Sequence, residues 1–255
     1  QLARADHAPA GAQGGRLLGV AVQLDCLRWG RNWGMGDFGD LRRLAAQASA
    51  QGAAFVGLNP LHALFPHNPA HASPYSPSSR AWLNVMYIDV ESVPDFESCE
   101  VARALVQSPA FQQRLSVLRS ASLVDHAGVS AAKHEVLDLL FGHFCERGQD
   151  DAQAQAFRRF CDEGGEALRE QALFDALQTH FHRQDAACWG WPAWPEAWRD
   201  RHGEQVRAFE REQAHRVAYF QYLQWQAARQ LQEAARACSA AGMPIGLYLD
   251  LAVSV

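Results

Sequence analysis

The cysteines of this chain lack the spacings that mark a metal site or a redox pair. No CxxC motif is present, and the intervals between the six cysteines do not match those of metal ligands. We therefore predict no metal, and we expect reduced and mostly buried thiols of the kind found in cytoplasmic proteins. The six residues are Cys26, Cys99, Cys145, Cys161, Cys188 and Cys238.

Basic charge and long apolar runs are also scarce. The formal net charge is −5, which argues against nucleic acid and anionic membranes as partners because both require a basic face. No apolar run is long enough to cross a bilayer. Residues 1–15 lack the basic start and apolar core of a signal peptide, and we interpret them as a linker. The expected location is the cytoplasm.

Motifs for cofactors and nucleophiles are missing as well. The glycines of GMGDFG (34–39) do not match the dinucleotide fingerprint, and neither GxSxG nor a cysteine in a nucleophile context occurs. No cofactor is predicted. Two histidine pairs lack a third ligand at a suitable spacing, so we interpret them as loop or solvent-facing histidines rather than metal ligands. These pairs are His67 with His71 and His180 with His182.

The stretch that stands out is a long proline-rich loop over residues 59–96. Six of the eleven prolines lie in it, and long loops inside compact domains are usually functional. Its aromatic, hydroxyl and amide groups suit a polyhydroxylated ligand. A purely structural loop stiffened by its prolines explains the stretch equally well. The polar and aromatic residues concerned are Ser73, Tyr75, Ser76, Ser78, Ser79, Arg80, Trp82 and Asn84.

A strand–helix–strand unit precedes this loop. The apolar run LLGVAVQL (17–24) predicts a buried parallel strand. Asp37 predicts a helix N-cap with Asp40 as its capping partner, and apolar residues then recur at helical spacing as far as Gly52. A second strand over 53–58 completes a right-handed βαβ unit. The run NVMYIDV (84–90), near the end of the loop, predicts a further short strand.

The rest of the chain divides into a helical part and a last strand. Residues 16–99 form the first βαβ part, 100–240 a helical insertion, and 241–255 a third strand. Helices are predicted over 131–147, 151–162, 166–182 and 204–240, separated by glycines. Four tryptophans lie within residues 189–198. They are typical either of an aromatic sugar platform or of a corner that joins neighbouring helices, and we favour the corner.

Carboxylates at strand ends are the candidate site residues. Functional side chains in α/β folds gather at the carboxyl ends of strands, which selects Asp25, the loop 59–96 and Asp250. Asp250 is expected inside a buried apolar strand, where a carboxylate costs several kcal/mol unless it is paired or functional. Asp89 is expected to hold the loop in place. Three strands are too few for a barrel and the sequence stops in an apolar run, so we expect a piece of a longer protein with a self-associating exposed edge.

Several stretches of the sequence together resemble one known family. They are NWGMGDFGDL (32–41), GLNPLHALFP (57–66), SPYSPSSRAWLNVMYIDVESVPDF (73–96), WGWPAWPE (189–196) and GLYLDLAV (246–253). They are similar to amylomaltase, the bacterial 4-α-glucanotransferase of glycoside hydrolase family 77, in its long proteobacterial form. The likeness runs from Leu17 to Val255.

The resemblance implies a fold and a reaction. The fold is α/β: the first part of a (β/α)8 TIM-type barrel, with the helical insertion between its second and third strands. The activity is transfer of α-1,4-glucan segments between maltodextrins, with release of glucose and without a cofactor. Such retaining chemistry uses two carboxylates about 5–5.5 Å apart, one as nucleophile and one as acid and base. The motifs that carry both carboxylates are absent, so no catalytic residue is expected in this chain.

Three positions carry over from the family. Tyr75 matches the tyrosine that stacks on the sugar at the cleavage point, Asp250 matches an aspartate on the third strand that supports the site, and Ser73 is their neighbour. Leu249 and Ser254 depart from the family pattern RDLAVGV, which has an arginine and a glycine at these two positions. Two alternative hypotheses for the function of the chain are a non-catalytic maltodextrin-binding module and a purely structural helical module.

Overall fold

The computed structural model describes residues 17–253, so the predicted linker over 1–15 and the departure at Ser254 lie outside the described residues. Five strands are present in this part: β1 Gly19–Val22, β2 Phe55–Leu58, β3 His62–Ala63, β4 Ser79–Leu83 and β5 Gly246–Leu249. The helices are α1 Phe38–Ala50, α2 Glu100–Gln107, α3 Pro109–Ser120, α4 His126–Cys145, α5 Ala152–Gln184, α6 Glu204–Glu212 and α7 Ala214–Ala240.

Three of the strands form one parallel sheet in the order β1-β2-β5. Val22 is paired with Leu58, and Leu58 with Leu249, so the three strands end in the same row. This arrangement confirms the expectation of parallel strands separated by helices. The third strand is shorter than predicted, because the chain leaves the sheet after Leu249.

Helix α1 joins β1 to β2 as its sequence predicts. The Asp37 carboxylate accepts a hydrogen bond from the backbone N–H of Asp40, and the Asp40 carboxylate accepts one from Asp37 N–H, which completes a capping box. Phe38 and Leu41 are fully buried on the inner face of the helix. After the helix, Gly52 has a φ of 82°, a conformation that glycine adopts without steric cost.

The loop 59–96 contains more structure than the sequence predicted. Strands β3 and β4 pair as an antiparallel hairpin. The predicted strand over 84–90 is wrong: residues 85–87 and 90–92 form 3-10 turns. The reason is local, because the Asn84 side chain accepts a hydrogen bond from Met86 N–H, and Tyr87 N–H turns back to the Asn84 carbonyl at 3.2 Å.

The helices of residues 100–240 are interrupted at the predicted glycines, but they begin and end at other residues than predicted. Gly165 has non-helical angles inside α5, where we predicted the break between two helices. Helix α4 begins at His126, five residues earlier than expected, because Asp125 caps it by accepting from Gly128 N–H at 2.8 Å. The predicted helix 204–240 is two helices, α6 and α7, with a break at Gln213. Helix α7 packs against both α1 and α5.

Two of the four tryptophans pack against neighbouring helices, as a corner between helices requires. Trp194 is buried, its ring lies 5.4 Å from that of Phe181, and its indole N–H donates to Gln178 at 2.9 Å. Trp198 packs edge-on against Phe181 with 5.2 Å between ring centroids. Trp189 and Trp191 are instead 65% and 56% exposed. The cluster therefore joins helices through one half and faces solvent with the other.

The cysteines are all unpaired, but the expectation that most are buried is wrong. Cys99 and Cys238 are buried, whereas Cys26 and Cys145 are exposed. Cys26 lies in a short 3-10 turn directly after β1, and Cys145 is the last residue of α4. Their exposure follows from their positions at element ends. In the described part of the chain, no helix is long and apolar enough to span a membrane.

Candidate functional site

A groove lies at the carboxyl ends of the three parallel strands. It has a volume of about 330 Å³ and is bordered by the last residues of β1 and β2 and by the start of the segment after β5. This edge of a parallel sheet is where α/β proteins place their functional groups. The polar side chains that border the groove are Gln23, Asn59, Tyr75, Tyr248 and Asp250.

Tyr75 and Asp250 meet across this groove. The Tyr75 hydroxyl donates to an Asp250 carboxylate oxygen at 3.3 Å, although 175 positions separate the two residues. Tyr75 is 50% exposed, so part of the residue is accessible from solvent. Desolvation and the neighbouring Asp250 raise the pKa of the Tyr75 phenol, which keeps the hydroxyl protonated and able to donate. The structure thus brings together two of the three residues that we singled out.

Asp250 is not buried within a strand, contrary to the expectation. It is the first residue after β5 and is exposed. Its backbone N–H still donates to the Leu58 carbonyl at 3.3 Å, and its other carboxylate oxygen accepts from Leu251 N–H at 2.8 Å. Exposure arises because no element of residues 17–253 covers the outer side of β5 at this point.

The third predicted residue, Ser73, lies in the exposed turn that carries Tyr75. Its carbonyl accepts from Ser76 N–H at 3.2 Å, which closes that turn. Ser78 has a different role: its hydroxyl donates to the carbonyls of Ala63 and Leu64, at 3.1 and 2.7 Å, and so fastens the base of the hairpin. Ser73 is therefore exposed near Tyr75 but does not line the groove, while Ser78 stabilises the loop.

Asn59 is a residue of this site that sequence reasoning missed. Its side-chain oxygen accepts from Leu24 N–H at 2.8 Å, and its amide donates to the Tyr87 hydroxyl at 3.1 Å. It thereby ties the end of β2 to the end of β1 and to the loop. The available signal was its position, since a polar amide directly after a buried apolar strand is typical of a strand end that serves a site.

Asp25 is not brought to the groove. It lies in the 3-10 turn after β1 and lines a separate, narrow cavity with His126 and Asp175. Its carbonyl accepts from Gly36 N–H at 3.2 Å. A Cβ atom on Gly36 would come within 1.9 Å of the Leu24 carbonyl oxygen, so this glycine permits close packing of two turns.

Asp89 holds the loop in place, in line with its expected role. Its carboxylate pairs with Arg31 at 2.7 Å, and Arg31 also pairs with Asp37 at 2.9 Å. The Asp89 backbone exchanges two hydrogen bonds of 2.8 Å with the side chain of Gln230 on α7. The end of the loop is therefore anchored to both α1 and α7.

Lys133 adds a buried cation to this anchor. It is the only lysine of the chain and is 2% exposed on α4. Its ammonium donates to the carbonyls of Met86 and Ile88 at 2.6 and 2.8 Å. Burial lowers the pKa of Lys133 and raises that of Asp37, each against the attraction of the opposite charges nearby. A lone lysine within an apolar helix sequence was a signal that could have identified it.

The histidines are arranged differently from their spacing in sequence. His67 lies against His182, with 4.9 Å between ring centroids, and so connects the two predicted pairs. His180 instead packs against the aromatic ring of Phe209. Among residues 17–253, no group of three or more histidine, cysteine or acidic side chains is arranged to hold a metal ion.

These features define an α/β protein whose parallel strands end in an open groove with polar side chains. A family model described as 4-alpha-glucanotransferase matches residues 22–255. The chain therefore belongs to this family, glycoside hydrolase family 77, as the resemblance indicated.

Curated relatives of this chain carry the same description. The 4-alpha-glucanotransferase of Haemophilus influenzae is 36% identical over 245 residues, which cover 94% of this chain and 35% of that protein. The 4-alpha-glucanotransferase of Mycobacterium tuberculosis is 35% identical over 252 residues, which cover 95% of this chain and 33% of that protein. The chain thus spans about a third of the length of these relatives.

Two solved structures share the fold. The amylomaltase from Corynebacterium glutamicum superposes with a TM-score of 0.72 at 29% identity, over 93% of this chain and 30% of that one. The amylomaltase from Streptococcus agalactiae in complex with acarbose superposes with a TM-score of 0.66 over 90% of this chain and 42% of that one. At 19% identity the second likeness concerns the fold alone. Both support an α/β fold with helices and a parallel sheet.

Proposed function

We propose that this chain is the substrate-binding front of a 4-α-glucanotransferase. The parent enzyme transfers α-1,4-glucan segments between maltodextrins with retention of configuration and releases glucose. The chain spans about a third of its relatives, and the nucleophile and the acid/base carboxylate lie beyond it. Family membership supports the reaction, and the hydrogen bond between Tyr75 and Asp250 at the strand ends is the observation that supports the site.

We further infer that the sheet is the first part of a (β/α)8 barrel. The strands β1, β2 and β5 are parallel neighbours in chain order, as successive barrel strands are. Residues 100–240 are then an insertion between the second and third barrel strands, and 241–255 carry the third. The barrel would continue beyond β5, whose outer edge would pair with a fourth strand.

In this proposal each groove residue has a distinct task. The Tyr75 ring packs on the apolar face of the sugar at the cleavage point. Asp250 accepts hydrogen bonds from sugar hydroxyls and orients the Tyr75 phenol, and Ser73 adds a hydroxyl at the rim. Binding in a fixed orientation aligns the anomeric carbon with the carboxylates supplied by the rest of the barrel. Displacement of water by an acceptor sugar then favours transfer over hydrolysis.

Glucose release from maltotriose tests the absence of the catalytic pair. The 255-residue chain, incubated with maltotriose, should release no glucose, whereas the full-length enzyme should release it steadily. Steady release by the chain itself would contradict the proposal. The catalytic pair would then have to be sought among Asp25, Asp89, Glu91 and Asp250.

A non-catalytic maltodextrin-binding module is the second candidate, favoured by the exposure of Tyr75 over an open groove. Calorimetric titration with maltoheptaose distinguishes it from an incomplete enzyme segment. A stoichiometric binding heat that Tyr75→Ala abolishes supports the binding module. The absence of any binding heat supports the incomplete enzyme segment. A purely structural role predicts that Tyr75→Ala and Asp250→Asn both leave the activity of the full-length enzyme unchanged.

The proposed setting is the cytoplasm, with maltodextrin as the partner. The exposed thiols of Cys26 and Cys145 are unpaired, which suits a reducing compartment. The groove contains no arginine or lysine among the residues that line it, which suits a neutral glucan better than an anionic polymer.

A further inference from the structure

Another cavity, besides the groove and the narrow cavity beside Asp25, lies between the loop 59–96 and the helical part. Its volume is about 180 Å³, and it shares no lining residue with the groove. The loop contributes one histidine, and helices α4, α5 and α7 contribute the other walls. The charged and imidazole side chains that line it are His67, His134, Asp138, His182, Arg183 and Arg216.

The cavity carries an excess of positive charge. Asp138 is the one acidic side chain among its described lining residues, and it is already paired with Arg216 at 2.8 Å. Arg183 makes no ion pair with a carboxylate of the described chain. The guanidinium of Arg183 can therefore bind an anionic ligand in the cavity.

His67 brings to this cavity a buried nitrogen without a hydrogen-bond partner in residues 17–253. The Nδ1 atom of His67 is buried and has no hydrogen-bond partner among the described residues, and its ring lies against that of His182. Burial, together with His182 and His71, lowers the pKa of His67 to about 4. A buried ring nitrogen without a partner costs free energy that a bound ligand would recover.

His134 on α4 lines the same cavity. Burial and then the charges of Arg216 and Arg183 lower its pKa to about 4. Its Nδ1 atom lies 2.7 Å from the Tyr219 hydroxyl. Two guanidiniums against one carboxylate leave the lining of this cavity with a net positive charge, so its electrostatics favour an anion over a cation.

We propose that this cavity binds a small oxyanion of the phosphate class, either free phosphate or a phosphate monoester. Arg183 would hold the anion through its planar N–H groups, which match phosphate geometry. His67 and His182, whose rings lie 4.9 Å apart, would each donate an N–H. Because His67 belongs to the loop that carries Tyr75, an occupied site would also fasten this loop to α5.

Calorimetric titration of the full-length protein with inorganic phosphate tests the proposal. We expect one saturable site, and we expect Arg183→Gln to weaken it by about 10-fold or more, as loss of a charged hydrogen bond implies. Arg183 is exposed at the end of α5, so this variant should fold. Arg159→Gln is the matched control: it makes the same change at an exposed position of the same helix, outside the cavity.

The remaining outcomes are decisive in either direction. Binding of inorganic phosphate assigns the site to the free ion, and binding of a hexose monophosphate alone assigns it to an ester. No saturable binding of either compound overturns the proposal. Binding that Arg183→Gln and His182→Gln both leave unchanged also overturns it, because the anion would then occupy another place.

Discussion

Tyr75 and Asp250 meet because two different elements each bring one polar group to the same edge of the sheet. The proline-rich loop carries Tyr75 over the strand ends, and the end of β5 carries Asp250. Asn59 and Lys133 hold the surroundings, one at the strand ends and one behind the loop. The polar residues of this region therefore fall into two groups. One group faces the groove, and the other holds the strand ends and the loop in position.

Substitution of Tyr75 tests the stacking role at this scale. In the full-length enzyme we expect Tyr75→Ala to lower kcat/KM for maltodextrin by about 10- to 100-fold, because the ring is lost, and this corresponds to about 1.4–2.7 kcal/mol. Tyr75→Phe is the matched control: it keeps the ring and removes only the hydrogen bond to Asp250, so it should lose much less. Equal losses in the two variants would show that the hydroxyl, rather than the ring, is what the substrate needs.

Substitution of Lys133 tests the anchor behind the loop. Lys133→Met removes the donor from the carbonyls of Met86 and Ile88 and leaves nearby carboxylates without a buried cation. We expect a loss of about 3–5 kcal/mol in the free energy of unfolding, measured with urea. Glu135→Gln, at an exposed position of the same helix, removes a surface ion pair with Arg114 of 2.7 Å and should change it by less than about 1 kcal/mol. A similar effect of both variants would contradict a special role for Lys133.

Among the elements, helix α5 combines a glycine break with a buried carboxylate in its second half. Gly165 divides the helix, and Asp175 is 4% exposed, with Gln171 as its hydrogen-bond donor at 3.3 Å. Burial raises the pKa of Asp175 to about 7, against the smaller opposing effect of Gln171. The fold therefore keeps this carboxyl group protonated at pH values below about 7.

The pH dependence of stability follows from that pKa. Because the pKa of Asp175 is raised from 3.8 in the folded state, its contribution to stability is complete below about pH 4 and is lost as pH rises through about 7. Asp175→Asn should remove this decline and leave the variant the more stable of the two at pH 8, by a few kcal/mol at most. Urea unfolding between pH 4 and 8 measures it.

The control for this prediction lies on the same helix. Asp162→Asn changes an exposed carboxylate and should keep the wild-type pH profile. If Asp175→Asn kept that profile too, the carboxyl group would have to be ionised in the fold, and the assignment of its pKa would be wrong.

In the molecule as a whole, one hydrophobic core includes α1, β2, the end of the loop and helices α4, α5 and α7. The exception is the side of the sheet formed by β5. Tyr248, Leu249 and Leu251 are between 52% and 63% exposed there. An apolar edge strand with unpaired backbone groups is a surface on which a second chain can add.

We therefore expect the 255-residue chain to self-associate at high concentration, as measured by light scattering. Leu251→Lys should reduce the association, because it places a charge beside the exposed edge. Val117→Lys adds the same charge at an exposed position on α3 and should have no effect. A monomer at every concentration would mean that this edge is protected in solution.

Much of the fold could be predicted because its signals are local. Asp37 with Asp40, the apolar period of α1 and the glycines after α1 and inside α5 all act within a few residues. The run 84–90 could not be predicted correctly, because its apolar composition is that of a strand. Its turns depend on Asn84 and on a lysine that lies 47 positions from Met86. For the same reason, the exposure of Asp250 was not visible in its apolar neighbours.

By itself, the sequence determined the family, the parallel strands, the helical part and the candidacy of Tyr75 and Asp250, since each depends on motifs or on short-range periodicity. Only the tertiary structure decided which groups meet. The hydrogen bond between Tyr75 and Asp250 joins residues 175 positions apart, and the bonds from Lys133 to Met86 and Ile88 span 47 and 45 positions. The cavity lined by His67 and Arg183 likewise brings the loop and α5 together. Such contacts are set by the packing of helices and loop against the sheet, which no local pattern specifies.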